Sequence, residues 1–420
     1  MLSLDYIKEN IKEVKEGIKN KGGNPSVVDR VLELASNKGA AMAEADKIRS
    51  HRNEVSKKLG NKDLTEEERK AFLQEAERVK RRLQETEKKM AVFKELDALV
   101  LSLPNIPARG VPIGADESAN KIVRKVGKPP KFKFEPKNYL ELANWHDLID
   151  IERASKVSGS RFGYLKNEAV LLEFALVRFV LDELQKEGFT PIVPPVMIKH
   201  DVMRKLGYLE KDPEDIYYLE KDDMNLIGTA EHSIVPMFMD ETLELGELPR
   251  RFAGFSTAFR REAGSYGRDT RGILRVHQFD KVEMVSFTAP KDSIKEHKLL
   301  LSFQERLMKA LEIPYQVIHI STGDMGFVAA DQYDIESWIP SERKYRETHS
   351  TSNTTDFQAR RLNMRYQHGG KREFVHILNG TAFAIGRTLI ALLENHQAQD
   401  GSVAIPQALY KYTGFKKIGK

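Results

Sequence analysis

The 420-residue chain has no cysteine, which excludes disulfides, thiolate zinc sites and cysteine nucleophiles. No stretch approaches the roughly 18 apolar residues that a membrane-spanning helix needs. Residues 1–25 interleave lysine with acid and hold no apolar signal core, so a cytoplasmic protein with no membrane partner is expected. Neither sign of charge dominates. With 67 Lys/Arg against 62 Asp/Glu the net charge is +5, which permits a polyanionic partner without demanding one. Proline is absent between Pro25 and Pro104, and only Gly39 and Gly60 fall between them, so little there would stop a long helix.

Two helices are what that stretch contains. Val31, Leu34, Lys38, Ala41, Ala45, Ile48, Arg52, Val55 and Leu59 keep a spacing of three and four, as do Phe72, Ala76, Val79, Leu83, Thr86, Met90, Phe93, Asp97 and Val100. Gly60-Asn61-Lys62-Asp63 breaks the pattern, and Thr65 with Glu68 restarts it as a capping box. The pattern predicts an antiparallel coiled-coil arm over residues 27–103, about 50 Å long for helices of ~33 residues. Its 17 Lys/Arg nearly balance 15 Asp/Glu, yet Arg78, Arg81 and Arg82 cluster on the second helix. A Pro/Gly-rich stretch near residues 104–125 marks a boundary, giving domains 1–108 and 109–420.

Beyond it the chain reads as α+β. Leu171 to Lys186 is an amphipathic helix, and Gly188 to Ile198 a strand bent by proline. Phe255 to Phe287 reads as two strands joined by a loop rich in glycine (Gly264, Gly267, Gly272) and arginine (Arg268, Arg271). Alternation places Arg260 with Glu262, and Phe279 with Lys281 and Glu283, so that each set shares one face of the sheet. Such a face offers a guanidinium fork for phosphate, a ring for a base and carboxylates for an amine. A solvated, salt-bridged hairpin is the plainer alternative. Three further segments carry similar groups: Thr229-Ala230-Glu231, Tyr345 to Arg361 with the oxygen donors Glu347 and Ser350, and Leu378 to Asn395, a strand, turn and helix opening near Arg387.

In this order the segments resemble the class II aminoacyl-tRNA synthetases, in the form typical of the seryl-tRNA synthetases. FRREAGS…GRDTRG…HQFDKVE is similar to their motif 2, the segment around Pro195 to motif 1, and the segment around Arg387 to motif 3. The resemblance implies an N-terminal helical arm followed by a catalytic domain on an antiparallel sheet with flanking helices. It implies a homodimer, ATP and Mg²⁺, L-serine as substrate, and tRNA(Ser) gripped by the arm, with tRNA(Sec) open as a second acceptor and no zinc.

By the same resemblance Arg260 binds the α-phosphate, and Glu262 and Val276 hold the adenine, on which Phe279 stacks. Glu347 and Ser350 ligate Mg²⁺, and Arg387 binds the γ-phosphate. Arg261, Thr348 and His349 complete the implied ATP set; with no cysteine and no partner histidine at ligand spacing, His349 itself reads as a satisfied neutral histidine. Thr229, Ala230, Glu231, Glu283 and Thr381 bind serine; on the arm that the resemblance assigns to tRNA, the clustered Arg78, Arg81 and Arg82 are the candidate contacts. Tyr266 replaces a residue that is usually small in motif 2. Two rivals remain: a carrier-protein ligase or catalytically dead synthetase relative that only binds, and a coiled-coil interaction protein with a vestigial catalytic half.

Overall fold

The computed structural model describes the chain except for residues 62–63, 91–93, 211–212, 264–270 and 420, and the side chains of 87–90. Lys62, Asp63, Phe93, Gly264, Tyr266, Gly267, Arg268 and the Met90 side chain therefore lie outside the described residues. The chain folds as two units, Met1–Pro104 and Asn105–Lys420.

In the first unit, two short helices over Leu4–Glu9 and Ile11–Asn20 precede α1 (Val27–Leu59) and α2 (Glu66–Met90), and Lys94–Ser102 is helical again. Ala45 and Ile48 of α1 pack with Val79 and Leu83 of α2 in a small apolar cluster. Polar contacts across the seam run in opposite chain directions, His51 to Glu75 and Arg82 to Glu44, so the helices are antiparallel. The capping box is present: the Thr65 N–H donates to Glu68 at 2.9 Å, and the Glu68 N–H to Thr65 Oγ1 at 3.2 Å. Arg52 and Asp97, assigned to the seam by spacing, are exposed. Their charge overrides the periodicity, and Asp97 instead meets another polar seam position, Lys38, at 3.5 Å.

The second unit is built on an eight-stranded sheet. Its strands, in chain order, are β1 (Lys121–Val126), β2 (Thr190–Ile192), β3 (Arg250–Phe259), β4 (Gln278–Thr288), β5 (Tyr315–His319), β6 (Asp331–Ile339), β7 (Lys344–Thr355) and β8 (His376–Ala384). They lie in the order β1-β5-β6-β7-β8-β4-β3-β2, antiparallel except where β2 joins β3. Helices α3 (Glu168–Lys186), α4 (Ser293–Ala310) and α5 (Ile385–Asn395) supply Leu176, Leu307 and Leu392 to the core shared with the sheet.

Two local expectations change. The segment predicted as one bent strand is two: Thr190–Ile192 joins the large sheet and Met197–Lys199 a separate three-stranded one. Pro194 and Pro195 between them donate no ladder hydrogen bonds, which permits the change of sheet. The boundary stretch is also shorter than residues 104–125, because it already contains the start of β1. Asn105 anchors that stretch within the second unit, donating to the carbonyls of Val328 (2.9 Å) and Thr354 (2.8 Å). Among the described residues, no helix is long and apolar enough to cross a membrane.

From α4, the fully buried Gln304 donates to the carbonyls of Ser350 on β7 and Thr381 on β8, both at 2.8 Å. This one amide fixes two strands whose opposite face carries the site. At Gly380 on β8, a Cβ would meet Thr351 Oγ1 at 2.9 Å, so only glycine allows β7 and β8 to approach this closely.

Candidate functional site

Two adjoining hollows open on that face. Arg260, Glu262, Val276, Phe279, Thr348 and Arg387 wall the first, and Tyr208, Thr229, Glu231, Glu283 and Ser350 the second. Arg260, Lys281, Glu347 and Thr381 belong to both, so the hollows are two ends of one site.

On β4 strict alternation delivers Phe279, Lys281 and Glu283 to this face. Arg260 and Glu262 arrive differently from the alternation expected of them. Strand β3 ends at Phe259, and Glu262 takes a left-handed backbone with φ +54°. That conformation is costly for a residue with a Cβ. A 2.7 Å ion pair with Arg275 helps to hold it. Thr229 and Glu231 likewise share the hollow without sharing a strand, since Glu231 opens a short helix, Glu231–Ile234.

Glu347 and Ser350 are three apart on β7, so regular alternation would send them to opposite faces. The register prevents this. Ser350 pairs with Asp334, His349 with Ile335, and Glu347 with Glu336, leaving Thr348 as an extra residue. Since Asp334 and Glu336 share a face of β6, so do Ser350 and Glu347. A second bulge, at Ala382 on β8, sets Thr381 opposite Glu283, and its hydroxyl donates to Glu283 Oε2 at 3.3 Å. Strand β8 runs directly into α5 with no intervening turn, contrary to expectation, and Arg387 is the third residue of that helix.

The charges of the site face one another, Glu347 with its side chain half exposed. The Arg387 guanidinium lies 3.2 Å from the Glu347 carboxylate. Burial pushes that carboxyl up, but Arg387 and Arg260 outweigh it and hold Glu347 below its ordinary value. Arg260 donates through Nε to the Gly228 carbonyl at 3.2 Å and lies 5.4 Å over the Phe279 ring. Lys281 touches Glu283 at 2.5 Å and donates to Thr229 Oγ1 at 3.2 Å.

Glu231 is 4% exposed and accepts from the Tyr208 hydroxyl at 2.6 Å and from Gln358 at 3.3 Å, with a cation at neither bond. Burial pushes its carboxyl up to about 7, with Glu283 adding to the rise while Tyr208, Gln358 and Lys281 oppose it. His232 is driven down to about 3, by burial and then by Arg260 and Lys281, so it is neutral. Its Nδ1 accepts from the Gly228 N–H at 3.2 Å. Burial, then the nearby Glu347 charge, pushes the Asp334 carboxyl on β6 well above its usual range.

Three assigned residues do not reach the cavity wall. Arg261 turns away, with its guanidinium 4.4 Å over the Tyr217 ring and Nε donating to the Ile216 carbonyl, because the chain bends off β3 there. Ala230 is fully buried beneath Thr229 and Glu231. His349 faces inward, opposite to Ser350, and packs 5.9 Å from Phe383. Burial lowers it to about 4, so it is neutral as expected, but only Nδ1 is satisfied and Nε2 has no partner. Arg78, Arg81 and Arg82 belong to the first unit. Sequence reasoning missed Tyr208, Gln358, His232 and Asp334. Only Asp334 left a signal, its two-residue spacing to Glu336.

Similarity to known proteins extends over the whole chain. Residues 1–107 match the seryl-tRNA synthetase N-terminal domain, and residues 217–396 the tRNA synthetase class II core domain (G, H, P, S and T). A serine–tRNA ligase of Rubrobacter xylanophilus is 43% identical over 100% of this chain and 99% of its own. One from Thermotoga maritima is 42% identical over the full length of both. The crystal structure of seryl-tRNA synthetase from Pyrococcus horikoshii complexed with ATP superposes with a TM-score of 0.94 at 40% identity, covering 100% of this chain and 99% of that one. With the N-terminal domain, the class II core and full-length relatives in agreement, the chain belongs to the seryl-tRNA synthetase family of class II aminoacyl-tRNA synthetases.

Proposed function

We propose that this chain is a serine–tRNA ligase whose cavity binds ATP at the Arg260–Arg387 end and serine at the Glu231–Glu283 end. One observation carries the assignment of ends: a hollow walled by Thr229, Glu231, Glu283 and Thr381 opens directly onto two guanidiniums and the Phe279 ring. Carboxylates suit an ammonium and hydroxyls suit a hydroxyl, whereas guanidiniums and a ring suit phosphates and a base.

In the first step a serine carboxylate oxygen attacks the α-phosphorus of ATP, and pyrophosphate leaves with the bonding electron pair. In the second, the terminal ribose hydroxyl of tRNA attacks the seryl carbonyl and AMP leaves. No side chain need act as nucleophile, because the carboxylate already is one. The protein's part is position and charge. Arg260 neutralises the α-phosphate, Arg387 fixes the γ-phosphate, Glu262 and Val276 border the adenine, and Phe279 stacks on it. Arg387 is already aimed by Glu347, so little side-chain freedom is lost when phosphate arrives.

Two hard oxygens on one face, Glu347 and Ser350, fit Mg²⁺, which takes one or two protein ligands and fills the rest with water and phosphate. Bound there, it supplies charge neutralisation across the phosphates.

The arm takes tRNA(Ser) by shape and phosphate position. Whether tRNA(Sec) is a second acceptor is left open by that mode of reading, and charging assays on both tRNAs decide it. The functional form is a homodimer in the cytoplasm. Its interface is proposed around α3 and the Pro195 segment, where Leu171 (52%), Phe174 (60%), Val193 (76%) and Met197 (47%) are exposed, and sedimentation at graded concentration tests it.

Serine-dependent ATP/pyrophosphate exchange tests the central assignment. Exchange should require serine and be much weaker with alanine, which leaves buried polar groups unpaired, and with threonine, which is too large. Equal exchange with either would overturn the serine pocket.

A further inference from the structure

The largest excess of one charge over a stretch of 17 residues lies outside the arm. Residues 121–137, KIVRKVGKPPKFKFEPK, hold seven Lys/Arg and a single acid, Glu135. Their net charge of +6 exceeds the +5 of the entire chain, so the remaining residues are slightly acidic. A surface kept basic only for solubility would mix signs, since clustered cations repel one another.

The structure leaves this charge available. Lys121, Lys125, Lys128, Lys131 and Lys133 are exposed and Lys137 is half-buried. Among the described residues none of these six lysines is ion-paired; the ion pairs of the stretch belong to Arg124 with Glu305 and to Glu135 with Arg343. On the arm, by contrast, Arg78 is ion-paired with Glu75 and Arg82 with Glu44.

The stretch also borders the catalytic cavity. A register shift in β1 leaves Val123 as the extra residue, so Lys125 pairs with Gln316 and Arg124 with Val317. Gln316 in turn pairs with Glu336, which places Lys125 on the face that carries the site, while Arg124 turns to Glu305 of α4 on the other. The Lys125 ammonium lies 5.2 Å over the Tyr345 ring. Tyr345 walls a cleft with Arg346, Glu347 and Arg387, and the last two also line the phosphate end of the cavity. From there Pro129 and Pro130 restrict the backbone, so the following lysines are ordered at low entropic cost. Aromatic rings interleave with them: Phe132 and Phe134 lie 4.9 Å apart, and Lys137 sits 5.3 Å over Trp145. Unpaired lysines with interleaved rings, beginning at the mouth of a site that must admit an RNA terminus, match the phosphate backbone of that RNA.

We propose that residues 121–137 form a second RNA-binding surface, on the catalytic unit, which takes the acceptor-stem phosphates of the tRNA whose 3′ end enters the cavity. The proposal rests on the cavity being an aminoacylation site. The test is the full-length Lys128→Glu/Lys131→Glu/Lys133→Glu protein, with its Lys→Gln counterpart as the milder variant. The probes are tRNA(Ser) and a minihelix of its acceptor stem, titrated across a range of salt.

Serine-dependent exchange should match the parent in both variants, which also shows that they fold. The charge-reversed variant should charge tRNA(Ser) on the order of 10- to 100-fold less efficiently. Its plot of log K against log salt should flatten by about 0.9 for each duplex phosphate that the protein no longer neutralises. Minihelix binding should weaken by a similar factor, and the Lys→Gln protein should fall between. Parental tRNA affinity and salt slope with exchange intact would overturn the proposal, as would weakened tRNA affinity with unaltered minihelix binding. Absence of serine-dependent exchange in the parent chain would instead sink the reading of the cavity.

Discussion

On the arm, Arg82 reaches Glu44 at 3.1 Å with side chains 66% and 46% exposed. In the cavity, Lys281 and Glu283 meet at 2.5 Å with side chains 9% and 2% exposed. Both are ion pairs, but they do different work. An exposed pair is worth roughly 0–1 kcal/mol, so a phosphate can replace the carboxylate at little cost. Removing one member of a buried pair strands a charge and costs about 3–5 kcal/mol. The arm's charges are exchangeable and suit a partner that comes and goes, whereas the cavity's are set in advance of the substrate.

Arg260 should show the preset side of that contrast most strongly. Its guanidinium is already fixed by the Gly228 carbonyl and the Phe279 ring, and it faces the developing phosphate charge in the proposed reaction. Arg260→Ala removes one preorganised donor, a change that typically costs about 2.7–4 kcal/mol. Serine-dependent exchange should fall roughly 10²- to 10³-fold with the fold intact by circular dichroism. Near-parental exchange in a folded protein would remove Arg260 from the phosphate site.

The contrast sharpens at Glu231, a preset group that has not been given a cation. Its carboxyl, pushed up to about 7 mainly by burial, is protonated in acid and ionised above that pH. The ammonium of serine binds the ionised form. The KM for serine should therefore rise as pH falls below about 7, approaching tenfold per pH unit, with kcat far less affected. The Tyr208 hydroxyl, 2.6 Å away, stabilises the ionised form. Tyr208→Phe should move the break to higher pH, raising KM at pH 7 while leaving it near parental at about pH 8.5, where the carboxyl is ionised in both proteins. A uniform rise in KM at every pH would make Tyr208 a packing residue only.

How far the sequence foretold these groups depends on what set their direction. Period-two alternation held along β4, so Phe279, Lys281 and Glu283 were legible as one face. The arm was legible because helical spacing repeats over 33 residues of α1. Spacing could not foresee Glu347 beside Ser350, because the bulge at Thr348 decides that, and a bulge is a property of two paired strands. Resemblance supplied those two residues where spacing failed. It also supplied Arg261, which the bend after Phe259 turns toward Tyr217. Tyr208 and Gln358 were invisible for a third reason: they stand 23 and 127 residues from Glu231 in sequence, and only the tertiary fold brings them to it.

The smallest effect is expected at Glu44, where the exchangeable side of the comparison can be tested directly. If the Arg82–Glu44 pair contributes little to folding, Glu44→Gln should change stability by under about 1 kcal/mol, a shift of only a few degrees in the melting temperature. If Arg82 meets RNA, removing its competing carboxylate should leave tRNA affinity unchanged or modestly higher. Charge reversal at Arg78, Arg81 and Arg82 should lower that affinity and flatten its salt dependence by somewhat under one unit for each phosphate left without its cation. Thermal unfolding of the Glu44→Gln protein and salt titrations of tRNA binding for both variants provide the measurements. A drop of roughly ten degrees or more on removing the Glu44 carboxylate would mean that the arm's pairs are structural after all. Unaltered tRNA binding in the triple reversal would move the RNA-facing surface to another side of the hairpin, with the contrast between exchangeable and preset charge then resting on the lysines of residues 121–137.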